Sequence, residues 1–163
     1  MSHKSVRLLL GYVAKSLSDK VQFGYGRRSE FNLIDQKRYP YIWVLPLTAG
    51  RRFINNDGTK TKTWNVAIVF LDQDTADADA KQTEKIHDNL DTFVDQYLQR
   101  LDDFAQQSTD VIGEVTIRND NQTPFYKDDA DIHSGWLVTF QLTVSDDFEY
   151  CVPDNINIYA GNI

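Results

Sequence analysis

Cysteine occurs once in this chain, at Cys151, so no disulfide can form within it and a reducing compartment suits it. The ordinary role for such a residue is a small, half-buried strand position. Long apolar runs are also missing. YIWVLPL and VAIVFL are strand-sized, far below the roughly 20 residues that a membrane-crossing helix needs. The first residues, MSHKSVRLLLGYVAKSLS, have too short an apolar core and no small-x-small cleavage pattern for a secretion signal. Neither a 20–50-residue repeat nor a low-complexity tract is present. What is there suits a globular core: 41% hydrophobic and 12% aromatic residues in a chain of 163. That length fits one domain spanning 1–163, burying about 70% of the unfolded chain's surface.

Charge is divided unevenly. Residues 1–71 carry twelve bases and four acids, residues 72–103 ten acids and three bases, and residues 104–163 ten acids and two bases. A basic first part against an acidic remainder points to complementary surfaces within or between copies.

Apolar residues at Val6, Leu9, Leu10, Val13 and Leu17 recur at helical spacing, predicting a short amphipathic helix over 4–18. Pro40 and Pro46 bracket YPYIWVLPL, as at an edge strand or one broken at its end. In RRFINNDGTKTKTWNVAIVFL, Asn56-Asp57-Gly58 supplies a hairpin turn, and 64–71 a largely buried strand. VIGEVTIRN and GWLVTFQLTV are further strands, with an extra one expected at Phe125–Lys127. The acidic middle reads as a long helix capped by Asp74 or Thr75, with acids such as Asp77 and Asp79 favouring its dipole. Ile86, Leu90, Phe93, Val94, Tyr97, Leu101 and Phe104 form its apolar stripe. Trp64, Val66, Ile68, Phe70, Leu137 and Phe140 are the candidates to pack opposite. The expected fold is α+β: a mainly antiparallel sheet packed by one long amphipathic helix and a short N-terminal one.

Opposite the stripe, Glu84, Asp88, Asp91, Asp95 and Asp102 fall within about 60° of one another. Such neighbours cost an isolated helix about 0.2–0.5 kcal/mol per pair. The face is either simply solvated or lies near a polyanion or a basic partner. Metal chemistry finds little support. A calcium loop from Asp72 has Asp77 where Gly is required and Thr83 where Glu is required. Glu84-x-x-His87 lacks the second Glu-x-x-His of a di-iron bundle. His3 and His133 are isolated. No nucleophile elbow or phosphate loop occurs, and GYGRR lacks the lysine and the following helix. Asp128-Asp129 and Asp146-Asp147 are adjacent in sequence, which rarely aims two acids at one reacting group. The sequence therefore predicts no enzyme, no cofactor and no metal. Arg27, Arg28, Lys37, Arg38, Arg51, Arg52, Lys60 and Lys62 look like a nucleic-acid surface, but the overall acidity argues against it. They read better as loop residues meeting protein, with Tyr39, Tyr41 and Trp43 as apolar contacts beside them.

In order, FGYG, RYPYIWVLPL, WNVAIVFLD, DADAKQTEKIHDNLDTFVDQYLQRL and SGWLVTFQLTVSDDFEYCVP resemble the head–tail connector and tail-terminator proteins of tailed bacteriophages. The version resembled is that of phages of Bacteroidetes-type hosts, over most of residues 5–155. The resemblance implies a virion structural protein, made in the host bacterial cytoplasm, that assembles head-to-tail into a hexameric or dodecameric neck ring. Its partners would be other copies and portal, adaptor or tail-tube proteins, with double-stranded DNA passing through and no membrane. It brings no catalytic residues. An acidic stripe beside the channel would repel phosphates; the basic part could also meet the acidic remainder across a heterologous subunit contact. The alternatives are a small monomeric protein-binding domain and a carboxylate-dependent enzyme.

Overall fold

The structure is a computed structural model, described over residues 3–31, 33–34, 39–75, 77, 79–107, 115–128 and 133–145 apart from 19 and 59. Among these are helices α1 (His3–Leu17), α2 (Arg28–Phe31) and α3 (Ala80–Gln107) and strands β1 (Gln22–Tyr25), β2 (Tyr41–Val44), β3 (Thr48–Ile54), β4 (Lys60–Gln73), β5 (Val115–Asp128) and β6 (His133–Ser145). The sheet runs β1-β2-β4-β6-β5, with β3 on β4 beyond the end of β2. Among the described strands only the β1–β2 pair is parallel. The fold is therefore the expected α+β arrangement, with α3 on a mostly antiparallel sheet and α1 beside it.

Strand β4 organises the sheet because its period-2 alternation is apolar on both faces in its second half. Trp64, Val66, Ile68 and Phe70 point to one face, where they meet Val138, Phe140, Leu142 and Val144 of β6 and the buried sides of α1 and α3. Val69 and Leu71 point to the other, into a second cluster with Phe31, Tyr41 and Trp43. The β4–β6 ladder has close tolerances: a Cβ on Gly135 would lie 1.9 Å from the Phe70 carbonyl oxygen, so only glycine fits there.

Several expectations shift by one residue or one face. The inner line of α3 is Thr83, His87, Leu90, Val94, Tyr97 and Leu101. Ile86 and Phe93 are half-buried flanks, and the Phe104 side chain lies outside the description. Leu137 belongs to the second cluster, because odd positions of β6 face away from α3. β2 is an interior strand between β1 and β4, not an edge. The extra strand at Phe125–Lys127 is continuous with VTIRN as a single β5, joined through a register shift between Arg118 and Asn121. The cap of α3 is Asp79, whose Oδ1 accepts from the Gln82 backbone N–H at 2.9 Å, rather than Asp74 or Thr75. The hairpin turn at 56–58 is as expected, with Gly58 at φ 82°.

Leu90, 2% exposed, lies on that inner line. Leu90→Ala should destabilise by about 2–5 kcal/mol, read in denaturant melts. A loss under about half a kcal/mol, the range of surface substitutions, would place the helix wrongly.

Candidate interaction surfaces

The basic residues do not form one patch, because the sheet separates them. In the β3–β4 hairpin Arg52 pairs with Lys62 and Ile54 with Lys60, so these four share the face on which the helices pack. The Lys62 ammonium lies 4.0 Å from the centre of the Trp64 ring, closing that end of the core. A register shift between Ala49 and Arg52 turns Arg51 to the opposite face. Arg27 and Arg28 are exposed at α2, on that opposite face, with the Arg28 guanidinium 6.0 Å from the Phe125 ring centre. Lys37 and Arg38, like Cys151, Asp129, Asp146 and Asp147, lie outside the described residues.

The aromatic contacts expected beside them are not available. Tyr41 and Trp43 are 3% and 5% exposed, buried in the second cluster. Phe31 meets both edge-on, at 5.0 and 5.4 Å. The Trp43 indole N–H donates to the Gly26 carbonyl at 3.0 Å, and its ring occupies the space a Cβ on Gly24 would need. Burial pushes the Tyr41 phenol up to about 12. Half-buried Tyr39 bonds to His133 instead. The exposed large apolar side chains among the described residues are Leu33, Phe53, Ile54 and Tyr126. Two of these sit on the hairpin.

Glu84, Asp88, Asp91 and Asp95 are exposed along the outer side of α3, and Asp102 is half-buried. Asp91 accepts from the Gln122 side-chain amide at 2.6 Å, which binds the stripe's middle to β5. Glu84, Asp88 and Asp95 present their charge outward.

Sequence reasoning missed a buried polar knot between α3, the residues just before it, and the strands β5 and β6. Asp74, 4% exposed, accepts from the Thr75 backbone N–H at 2.8 Å, Thr83 Oγ1 at 2.9 Å and Ser134 Oγ at 2.7 Å. His87 places Nδ1 3.0 Å from the Thr83 carbonyl oxygen and Nε2 3.0 Å from that of Phe125. Carbonyls only accept, so a neutral imidazole can satisfy one of these and an imidazolium both. The ring lies against Tyr126 and edge-on to Trp136, whose indole N–H donates to the His87 carbonyl at 3.0 Å. Asp74, Ser134 and His133 are nearly or wholly sealed from solvent, Ser134 bonded to Asp74 and His133 to Tyr39. Such groups act as struts between elements. Among the described residues no cluster of three or more potential metal ligands occurs.

A second missed feature is an open polar groove on the face opposite α1 and α3, beside the second cluster. It encloses about 1020 Å³ and is lined by residues including Arg51, Phe53, Thr63, Asn65, Arg118 and Gln141. Its floor is a cross-strand ladder: Thr63 Oγ1 to Thr143 Oγ1 at 3.2 Å, and the Gln141 amide donating to Asn65 Oδ1 at 3.3 Å. Polar residues at every second position, Thr61, Thr63, Asn65 and Thr139, Gln141, Thr143, carried this signal in the sequence.

No protein-family model matches this chain, and no curated protein does either.

Asp74, just before α3, and Asp88, within it, should behave oppositely. Asp74→Ala takes the acceptor from two buried hydroxyls and should cost about 1–3 kcal/mol, while Asp88→Ala on the exposed face stays within about 0.5. Equal, small losses would deny Asp74 its role as a strut. Half-buried Asp72 has its carboxyl raised above the ordinary 3.8 by burial, partly opposed by the Gln73 backbone N–H. A raised acid favours the fold at pH below its ordinary value, and that contribution is lost as pH rises through the folded pKa. Asp72→Asn should therefore be more stable than the parent at neutral pH, with the difference vanishing in acid. Thermal melts from pH 3 to 7 that show no such convergence would overturn this.

Proposed function

We propose that this chain is a structural subunit of a tailed-phage neck, a head–tail connector or tail terminator that closes into a ring around the DNA path. The observation that carries the reading is the separation of charge onto two exposed, differently shaped surfaces. One is the β3–β4 hairpin, where Arg52, Lys60 and Lys62 surround Ile54, which is 74% exposed. The other is the acidic outer side of α3, with Glu84, Asp88, Asp91 and Asp95. The two lie on different elements of one subunit, so a hairpin reaching the next copy's helix makes a head-to-tail contact, which closes into a ring when the rotation allows. Opposite charges steer the encounter and set its register, while Ile54 supplies apolar burial. Acids left uncovered at the ring's inner surface would repel DNA within about 8 Å at physiological salt.

On this proposal the protein works by assembly, without catalysis, cofactor or metal, in the virion neck, beside portal, adaptor or tail-tube proteins. The runner-up is a small monomeric binding domain, and the open groove beside Phe53 is the feature in its favour.

The hairpin cations decide between them. Arg52→Glu with Lys60→Glu alters two exposed side chains, so the variant should fold normally. It should fail to enter virions in the parent phage and fail to form rings at high protein concentration. The parent's rings should loosen in 1 M salt, where the Debye length is roughly 3 Å. Full-length necks at normal yield from the double variant would overturn the proposal.

A further inference from the structure

The groove opposite α1 and α3 is cationic: of its lining residues, Arg51 and Arg118 are charged and none is acidic. The two stand on the strands that flank the floor, Arg51 on β3 and Arg118 on β5, with β4 and β6 between them. Both are exposed, and the exposed apolar residues Phe53 and Ile54 line the hairpin end. The floor is hydroxyls and amides paired to one another across β4 and β6. It suits a polar, acidic occupant, because an apolar one would seal those groups from water without replacing the hydrogen bonds they make to it.

Its width suits a helix. Three strand spacings separate β3 from β5, about 14 Å, and an α-helix with its side chains is about 10–12 Å across. Among the described residues, the acidic helix side is the outer side of α3. Asp91 there is already held by Gln122, but Asp88 and Asp95 are exposed. At about 100° and 1.5 Å per residue, these two lie within about 20° of one line and about 10 Å apart along it. Thr92 and Gln99 share that exposed side, so the surface meeting the floor is polar like the floor itself. We infer that the groove is the seat for the outer side of α3 from a second copy of this chain, with Asp88 and Asp95 on Arg51 and Arg118.

A chain cannot fill its own groove in this way, because α3 packs on the opposite face of the sheet. The two surfaces point apart, so their contact is head-to-tail, and each copy gives its helix to one neighbour and its groove to another. Arginine–carboxylate pairs are charge-assisted and can be bidentate, which gives the contact direction as well as strength. The inference rests on the ring reading and names the surface that receives the helix. Ile54 lines the groove, so a helix seated there meets the hairpin at its rim. Lys60, paired with Ile54, and Arg52 two residues before it lie within about 8 Å of that rim, the Debye length at physiological salt, and add to the steering field.

Charge reversal and restoration test the contact on the full chain, with self-association read by sedimentation velocity over a range of concentrations. All four side chains are exposed, so the reversals should leave the circular dichroism unchanged. Arg51→Glu with Arg118→Glu should weaken association at least about tenfold, and so should Asp88→Arg with Asp95→Arg. A chain carrying all four changes has an acidic groove and a basic helix side, and should associate again as the parent does. Arg51→Gln with Arg118→Gln, which remove the charge without reversing it, serve if the reversed groove variant melts early. Association unaffected by the groove changes would overturn this inference and leave the ring reading to the hairpin's other face. Association lost with the groove arginines but not regained in the fourfold variant would also overturn it, by giving the groove to a different anionic partner. A parent chain that stays monomeric at every concentration and enters no neck would sink the ring reading, and this inference with it.

Discussion

The ladder between β4 and β6 is the constraint on which the rest depends. It pairs residues 61–73 with 133–145 without a register shift, so side chains at even and odd positions are held to opposite faces along its whole length. A slip of one residue would move Phe70, Ile68 and Val66 out of the main core and Val69 and Leu71 into it. Glycine at 135 lets the two backbones approach, and buried Phe70 and Val138 on one face with Val69 and Leu137 on the other make the register costly to change.

Each face is then completed differently. One takes α1 and the inner line of α3 over a large apolar cluster, with the Tyr97 hydroxyl donating to the Leu10 carbonyl at 3.0 Å to join the helices. Burial raises that phenol well above its ordinary range, so it stays a donor. The other face is covered over half its length by α2 and the aromatics around it, and ends in the polar groove. Charge follows the same division. Acids occupy the outer side of α3 because its inner side is committed to the core, and the hairpin cations are split by strand alternation and one bulge.

How well the sequence foretold each element follows from the width of its signal. A long amphipathic helix shows as a repeat sustained over many turns, and α3 was legible for that reason. Its exact inner line was not, since an apolar stripe covers 100° or more and Ile86 and His87 are neighbours on it. His87 takes the inner place because two carbonyls and a Trp–Tyr pair receive it. Tyr41 and Trp43 looked like contact residues because aromatics beside prolines resemble a free edge. Nothing local announced that β1 would pair with β2 and α2 would cover it.

The sequence by itself determined the class of fold, the hairpin at 56–58, the helix with one acidic side, and the unequal distribution of charge. These are local properties: turn chemistry, periodicity and residue type act over a few residues and need no distant partner. Only the tertiary structure decided which face each residue serves. It buried Tyr41 and Trp43, moved Leu137 away from α3, sent Arg51 and Arg52 to opposite sides, and brought Asp74 to Ser134 across 60 positions. The reason is that strand order and register are set by the summed burial of many distant side chains, a quantity that no single stretch of the chain contains.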